Sequence, residues 1–200
     1  MSNVVIVNAK RSAIGKFLGS LSGLSSVDIG SSVLNSLIES SKIQKSDVDE
    51  VIMGQVLTGG HGQNPARQTM MLSGIPYEKS AVTINQVCGS GLRAIAIGTQ
   101  SILSGQSEIV IAGGQESMSN SHHTANIRNG IKMGDGSLKD SMIVDGLWCA
   151  MNDYHMGTTA ENIAEKYKIS KEEQDSFSVA SQNKAENAQK EGYFKNEICP

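Results

Sequence analysis

The sequence predicts an α/β fold: a mostly parallel sheet flanked by helices, followed by an irregular and helical excursion. Two observations carry this expectation. Short β-branched runs alternate with amphipathic stretches as far as residue 114, and Gly or Asn-Pro punctuates the junctions. From about Gln115 the texture changes, and residues 115 to 157 are rich in Ser, Asn, Gly, His and Met without clear periodicity. A boundary near residue 117 therefore separates an α/β domain, 1–117, from a looser domain, 118–200.

The elements follow in order. Val4 to Val7 is a continuous β-branched run, as expected of a strand covered on both faces. After the Gly/Ser-rich stretch 15–26, Ile29, Val33, Leu34, Leu37 and Ile38 recur at helical spacing. Val51 to Leu57 reads as a second strand. Asn64-Pro65 opens a helix, with Asn as cap and Pro at its first position, and Gly74 ends it. Ala81 to Asn85 is a third strand. Leu92, Ile95, Ala96, Thr99, Ile102 and Leu103 mark a helix closed by Gly105, and Ile109 to Ala112 is a fourth strand. Right-handed crossovers between parallel strands would gather the strand C-terminal ends on one side, where ligands bind in such sheets. In the second part, Thr158-x-x-Glu161 and Ser170-x-x-Glu173 read as capping boxes. The latter opens a long helix expected to turn Phe177, Ala180, Ala185 and Ala188 inward, with Gly192 at its end.

Composition excludes several classes. Of 200 residues, 38% are hydrophobic and 18% charged, which suffices for a core and argues against a disordered chain. Lys plus Arg number 17 and Asp plus Glu 20, for a net charge of −3, so a nucleic-acid or anionic-membrane partner has little electrostatic support. No apolar stretch has the length of a membrane span, and the N-terminus lacks a basic leader. Cys88, Cys149 and Cys199 are odd in number and far apart, so no disulfide framework is expected. These features predict a soluble, reduced, cytoplasmic protein.

The sharpest chemical feature is Asn85-Gln86-Val87-Cys88-Gly89-Ser90-Gly91, between the third strand and the third helix. A thiol at a helix N-terminus meets unpaired amides and the positive end of the helix dipole, which favour thiolate. Gly89 and Gly91 keep side chains away from an approaching acyl group, and the amide of Gly89 is a candidate oxyanion donor. That chemistry suits acyl transfer through a thioester, set against the commoner fate of a cysteine as a small core residue. Cys149 and Cys199 lack such a setting. His61, His122, His123 and His155 fall in loop-like surroundings. His122-His123 has no partner at ligand spacing, so no metal site is expected. Tyr154-His155-Met156-Gly157 precedes a helix and reads as packing or as a ligand wall. The glycine pairs 59–60 and 113–114 match no phosphate-binding fingerprint.

Asn85 to Gly91 with Leu92-Arg93-Ala94-Ile95 resembles the nucleophile segment of the thiolases. Gly62-Gln63-Asn64-Pro65-Ala66-Arg67-Gln68 and Ala112 to Ser119 resemble further thiolase motifs, and His155 to Asn162 and Ser170 to Asp175 are similar to that family's loop domain. The matches run in order along the whole chain, and the acetyl-CoA acetyltransferase subtype is most resembled. The resemblance implies that Cys88 takes an acyl group from acyl-CoA. A second acetyl-CoA, deprotonated at its methyl carbon, then condenses with the acyl-enzyme, or the reverse thiolysis runs. It implies His155 and Met156 as pocket residues for CoA, no metal or prosthetic group, and a homodimer or homotetramer. Thiolases continue past residue 200, into a second α/β domain that carries the activating histidine, a second cysteine and an oxyanion-hole asparagine. No Gly-His-Pro and no second Cys-Gly-x-Gly occurs here. The chain is therefore expected to be an N-terminal part, truncated at Pro200, that does not turn over alone. Smaller departures are Ser12-Ala13 where the family often has Thr-Pro, and Gln115 where it often has Met. Alternatives are a ketoacyl-synthase-like condensing enzyme and a non-catalytic CoA-binding or assembly fragment.

Overall fold

The computed structural model describes residues 3–199. Its elements are α1 (Ser26–Ser41), β1 (Glu50–Gly54), α2 (Pro65–Leu72), β2 (Ser80–Ile84), α3 (Ser90–Leu103), β3 (Val110–Gly114), α4 (Met156–Tyr167) and α5 (Lys171–Lys190). Two compact units result: residues up to Gly146 together with Cys199, and Leu147–Ile198. Residues 118–146 thus lie with the first unit, although their composition departs from it at 117.

In the first unit the three strands are parallel, in the order β2-β1-β3. The central strand β1 is buried from Val51 to Gly54, as a doubly covered parallel strand should be. Its alternation sorts the two faces. Val51 and Met53 join Ile111, Leu34 and Ile38 of α1 and Met70 of α2 in one core cluster. Ile52, level with Ala112, belongs to the opposite face, where Gly98 of α3 meets Val110 and Ala112. Helix starts follow their caps. Ser25 and Asp28 form a reciprocal capping box on α1, and Asn64 accepts from Arg67 N ahead of Pro65 on α2. Gly74 and Gly105 have φ of +73° and +74° after the helix ends.

Four expectations need correction. Val4 to Val7 does not form a strand: Val5, Ile6 and Val7 are 69, 76 and 80% exposed. The run instead lines a groove of about 390 Å³ with Ile95 and Ile102 of α3 and Val110 of β3. With so little burial, nothing offsets the entropy of fixing it as a strand. The face that α3 buries is not its large apolar one but Ser90, Ala94, Gly98 and Ser101; Leu92 and Leu103 are exposed. Small residues win there because they let the helix axis approach the sheet closely. Helix α4 starts before the Thr158 box, with His155 as its N-cap, because the Nδ1 of His155 already accepts from Gly157 N at 3.0 Å. Helix α5 has the expected Ser170–Glu173 box. It buries none of the expected residues, however: Phe177 is 76% exposed, Ala180 and Ala185 are exposed, and Ala188 is half-buried.

In the second unit, Trp148–Cys149 pairs antiparallel with Tyr154–His155 immediately before α4. Trp148 Nε1 donates to Asp153 Oδ1 at 2.9 Å across that hairpin. No helix among the described residues is long and apolar enough to cross a membrane.

Candidate active site

The C-terminal ends of the three strands lie side by side, because Gly54 is in register with both Ile84 and Gly114. Gly54 is there for clearance: a Cβ on it would crowd the backbone of Ser90 and Gly91, whereas one on Gly114 would make ordinary contact with Gly91 Cα at 3.4 Å. Without side chains on those strand ends, the first turn of α3 rests directly on the sheet edge.

Between β2 and α3 the chain makes one tight turn, which carries Cys88. Val87 has φ +50°, a costly conformation for a β-branched residue, so the surroundings must hold it. They do so with a closed set of bonds. Val87 N donates to Asn85 Oδ1 at 2.8 Å, while Asn85 Nδ2 donates to Val56 O at 3.4 Å. Ser90, 4% exposed, accepts from Gln86 N at 2.8 Å and donates to Val87 O at 2.6 Å through the same Oγ. The Gly89 amide donates to Gln86 O at 3.1 Å, and that of Ser90 to Val87 O at 3.1 Å. Gly89 N–H, the candidate oxyanion donor, is thus part of the turn's own bonding. Cys88 stands out of this frame as an exposed free thiol, just ahead of the N-cap Gly89.

The loop after β1 forms the neighbouring wall. Glu116 accepts from Val56 N at 2.8 Å and Leu57 N at 3.3 Å, and burial pushes its carboxyl pKa up against the pull of those two bonds. Behind it lies a buried amide chain. Thr69 Oγ1 donates to Gln115 Oε1 at 2.7 Å, Gln115 Nε2 to Gln55 Oε1 at 3.0 Å, and Gln55 Nε2 to Leu57 O at 3.0 Å. A cavity of about 380 Å³ opens beside it, lined by Gln55, Thr58, Pro65, Thr83, Ile84 and Asn85.

The remaining candidates belong to different elements. His155 and Met156 belong to the second unit, as N-cap and first residue of α4. His123 pairs in a two-residue ladder with Asp140, its Nε2 4.0 Å from the carboxylate. Gly113 and Gly114 complete β3. The described residues contain no cluster of three or more metal-ligating side chains. Sequence reasoning missed two features. His61 and His122 stack, with ring centroids 5.2 Å apart. Cys149 accepts from Asn152 Nδ2 at 3.3 Å, and this bond leads the causes that hold its thiol pKa below the ordinary value. A Cys-x-x-Asn turn is the only trace of the second in the sequence, and nothing local announces the first.

Strand, strained turn, exposed cysteine and helix start define a parallel α/β unit that presents a thiol between the C-terminal end of a strand and the start of the following helix. The description "Thiolase, N-terminal domain" matches residues 4–200, and the chain belongs to that family. It is 58% identical to an acetyl-CoA acetyltransferase of Allochromatium vinosum, over 99% of this chain and 50% of that protein. The corresponding protein of Paracoccus denitrificans is 56% identical over all of this chain and 51% of its own length, and that of Cupriavidus necator 53% over the same shares. The chain spans about half the length of the curated relatives it matches.

Proposed function

We propose that this chain is the nucleophile-bearing part of an acetyl-CoA C-acetyltransferase, with Cys88 as the acyl acceptor. The observation that carries the reading is the turn itself: an exposed sulfur held ahead of α3 by bonds that use both the hydroxyl and the amide of Ser90. The Cys88 thiolate attacks the thioester carbonyl carbon of acetyl-CoA. The new S–C bond forms as the bond to CoA sulfur breaks, and CoA leaves as its thiolate, which takes up the proton that Cys88 gave up on ionising. A second acetyl-CoA, deprotonated at its methyl carbon, then attacks the acyl carbon: the C–C bond of acetoacetyl-CoA forms, the C–S bond to Cys88 breaks, and the departing Cys88 sulfur receives the proton released from the methyl group; thiolysis is the reverse. Gly89 carries no side chain beside the sulfur, and its amide is the proposed oxyanion donor, sharing the proton it gives to Gln86 O. His155 and Met156 are proposed CoA contacts at the start of α4. No metal or prosthetic group enters the reading. The names of the relatives support the substrate, and the family membership supports the nucleophile.

Acetyl-CoA incubation followed by peptide mass spectrometry tests it. Acetyl on Cys88, absent in Cys88→Ala, is expected. Labelling only from carrier-protein thioesters would move the protein to the ketoacyl-synthase type, and CoA binding without any label would make it a non-catalytic fragment.

A further inference from the structure

We infer that the stacked imidazoles of His61 and His122 form a pH-sensitive clasp. It closes the loop after β1 onto the segment after β3 while at least one ring is neutral, and opens when both are protonated. The rings lie 5.2 Å apart and 9° from parallel. His122 Nδ1 is 3.0 Å from Gly59 O. A carbonyl has no proton to give, so Nδ1 carries the hydrogen, and that bond strengthens when the ring becomes a cation. A charged His122 therefore keeps its hold on Gly59. His61 is partly buried and face to face with that ring, and two like charges at this separation repel. Burial first, and the charge of His122 second, push the His61 pKa below the ordinary histidine value. Gly60 forms the floor: at φ +79°, a Cβ there would lie 1.8 Å from His122 Nδ1.

The surrounding charges do not neutralise a doubly protonated pair. The loop itself has no other titratable residue between positions 55 and 63. From α2 comes Arg67, engaged by the carbonyls of Tyr77 and Lys79, while Gln68 holds His61 O. The segment after β3 brings Glu116, bound to two amides, and His123, which faces Asp140. Lys139 adds a further positive charge on that ladder. Among the described residues neither stacked ring has an ion pair. Because the folded His61 value is depressed, the clasp contributes fully above the ordinary histidine pKa of 6.5 and is lost as pH falls through the interval below it.

The test is NMR titration of the two imidazoles in the full chain, with amide hydrogen exchange of residues 58–62 and 117–124 above and below pH 6.5. The expected result is a two-step coupled titration with His61 below ordinary histidine, and lower protection of both segments, relative to their intrinsic exchange rates, on the acid side. His122→Asn should move His61 up toward the ordinary value and abolish the acid-side change. Gly60→Ala should do the same while keeping both imidazoles, by displacing the His122 ring. Independent single-step curves at the ordinary value would overturn the clasp whether or not either variant folds. So would a His61 midpoint unmoved by His122→Asn.

Discussion

A Cβ on Gly54 would lie 2.6 Å from the carbonyl carbon of Ser90. The last residue of the central strand and the first residue of α3 are therefore in backbone contact, and the turn carrying Cys88 is seated on that contact. Gly54→Ala must push the helix start off the sheet. Overpacking of this kind costs about 1–3 kcal/mol, which a shift in the urea unfolding midpoint will read. The alkylation rate of Cys88 should change with it. Gly114→Ala, whose Cβ would meet Gly91 Cα and Gly54 O at 3.4 Å, should be milder in both measurements.

Ser90→Ala tests the other support of the same turn. The hydroxyl is both the acceptor for Gln86 N–H and a donor to Val87 O, in a side chain that is 4% exposed. Removing it leaves the Gln86 amide without its partner and Val87 O with the Ser90 amide only, at a cost of about 1–3 kcal/mol. The strained φ of Val87 should then relax. We expect a lower unfolding midpoint together with loss of a single well-ordered Cys88 environment in NMR spectra; an unchanged spectrum would show that the bonds of Asn85 and the Ser90 amide suffice to hold Val87.

How far the sequence could be read depends on what sets each feature. The sheet and its helices are legible, because β-branched runs, Asn64-Pro65, Gly74 and the Ser170–Glu173 box are local signals with local causes. The placement of Cys88 between β2 and α3 is legible for the same reason. The buried face of α3 is not, since Ala94 and Gly98 win it through closeness to Val110 and Ala112, a property of the packed pair of elements. Nor is the exposure of Phe177, because helical periodicity reports which residues share a face and not whether anything covers it. The His61–His122 stack joins two loops distant in sequence, and no residue pattern in either loop encodes it.

Gln115 is buried, and its environment gives it a specific partner in Gly30. A Cβ on Gly30 would lie 2.2 Å from Gln115 Oε1, and Thr69 pins that oxygen in place. Gly30→Ala should therefore destabilise the chain despite the better helix propensity of alanine. In a Gln115→Ala background the nearest obstacle is gone, Thr69 Cγ2 at 3.1 Å remaining, and the same change should cost less. A double-mutant cycle on unfolding free energies is expected to give a coupling of roughly 0.5–3 kcal/mol, the range for residues in direct contact. Additive effects would mean that the Gln115 amide swings clear at little cost.

Asp49 gathers the starts of all three strands. Its Oδ2 accepts from Glu108 N at 2.8 Å and Ile109 N at 3.1 Å, and its Oδ1 from Lys79 Nζ at 3.2 Å. The two backbone amides are the main reason its pKa lies below the ordinary 3.8, with Lys79 adding to them. A depressed carboxylate stabilises the fold fully above its unfolded pKa, and this is lost as pH falls through the lower, folded value. Urea midpoints should therefore drop in strong acid more steeply for the wild type than for Asp49→Asn. Near neutral pH the variant should be the less stable of the two, because a neutral amide oxygen is a weaker acceptor.

The three thiols should react in an order set by structure. Cys199 is 8% exposed, and its Sγ donates to Arg11 O at 3.2 Å, so alkylation there should be slowest. At Cys149 the Asn152 side-chain amide, and secondarily backbone amides of Asn152 and Met151, stabilise the thiolate against a small desolvation effect. Iodoacetamide reacts with the thiolate, so near-neutral pH should find Cys149 more reactive than an ordinary exposed thiol. Asn152→Ala removes the leading cause and should carry the rate–pH profile of Cys149 to higher pH, leaving Cys88 and Cys199 where they were. Site-resolved mass spectrometry over a pH series measures all three at once. An unmoved Cys149 profile would assign its acidity to the backbone amides of the turn and not to Asn152.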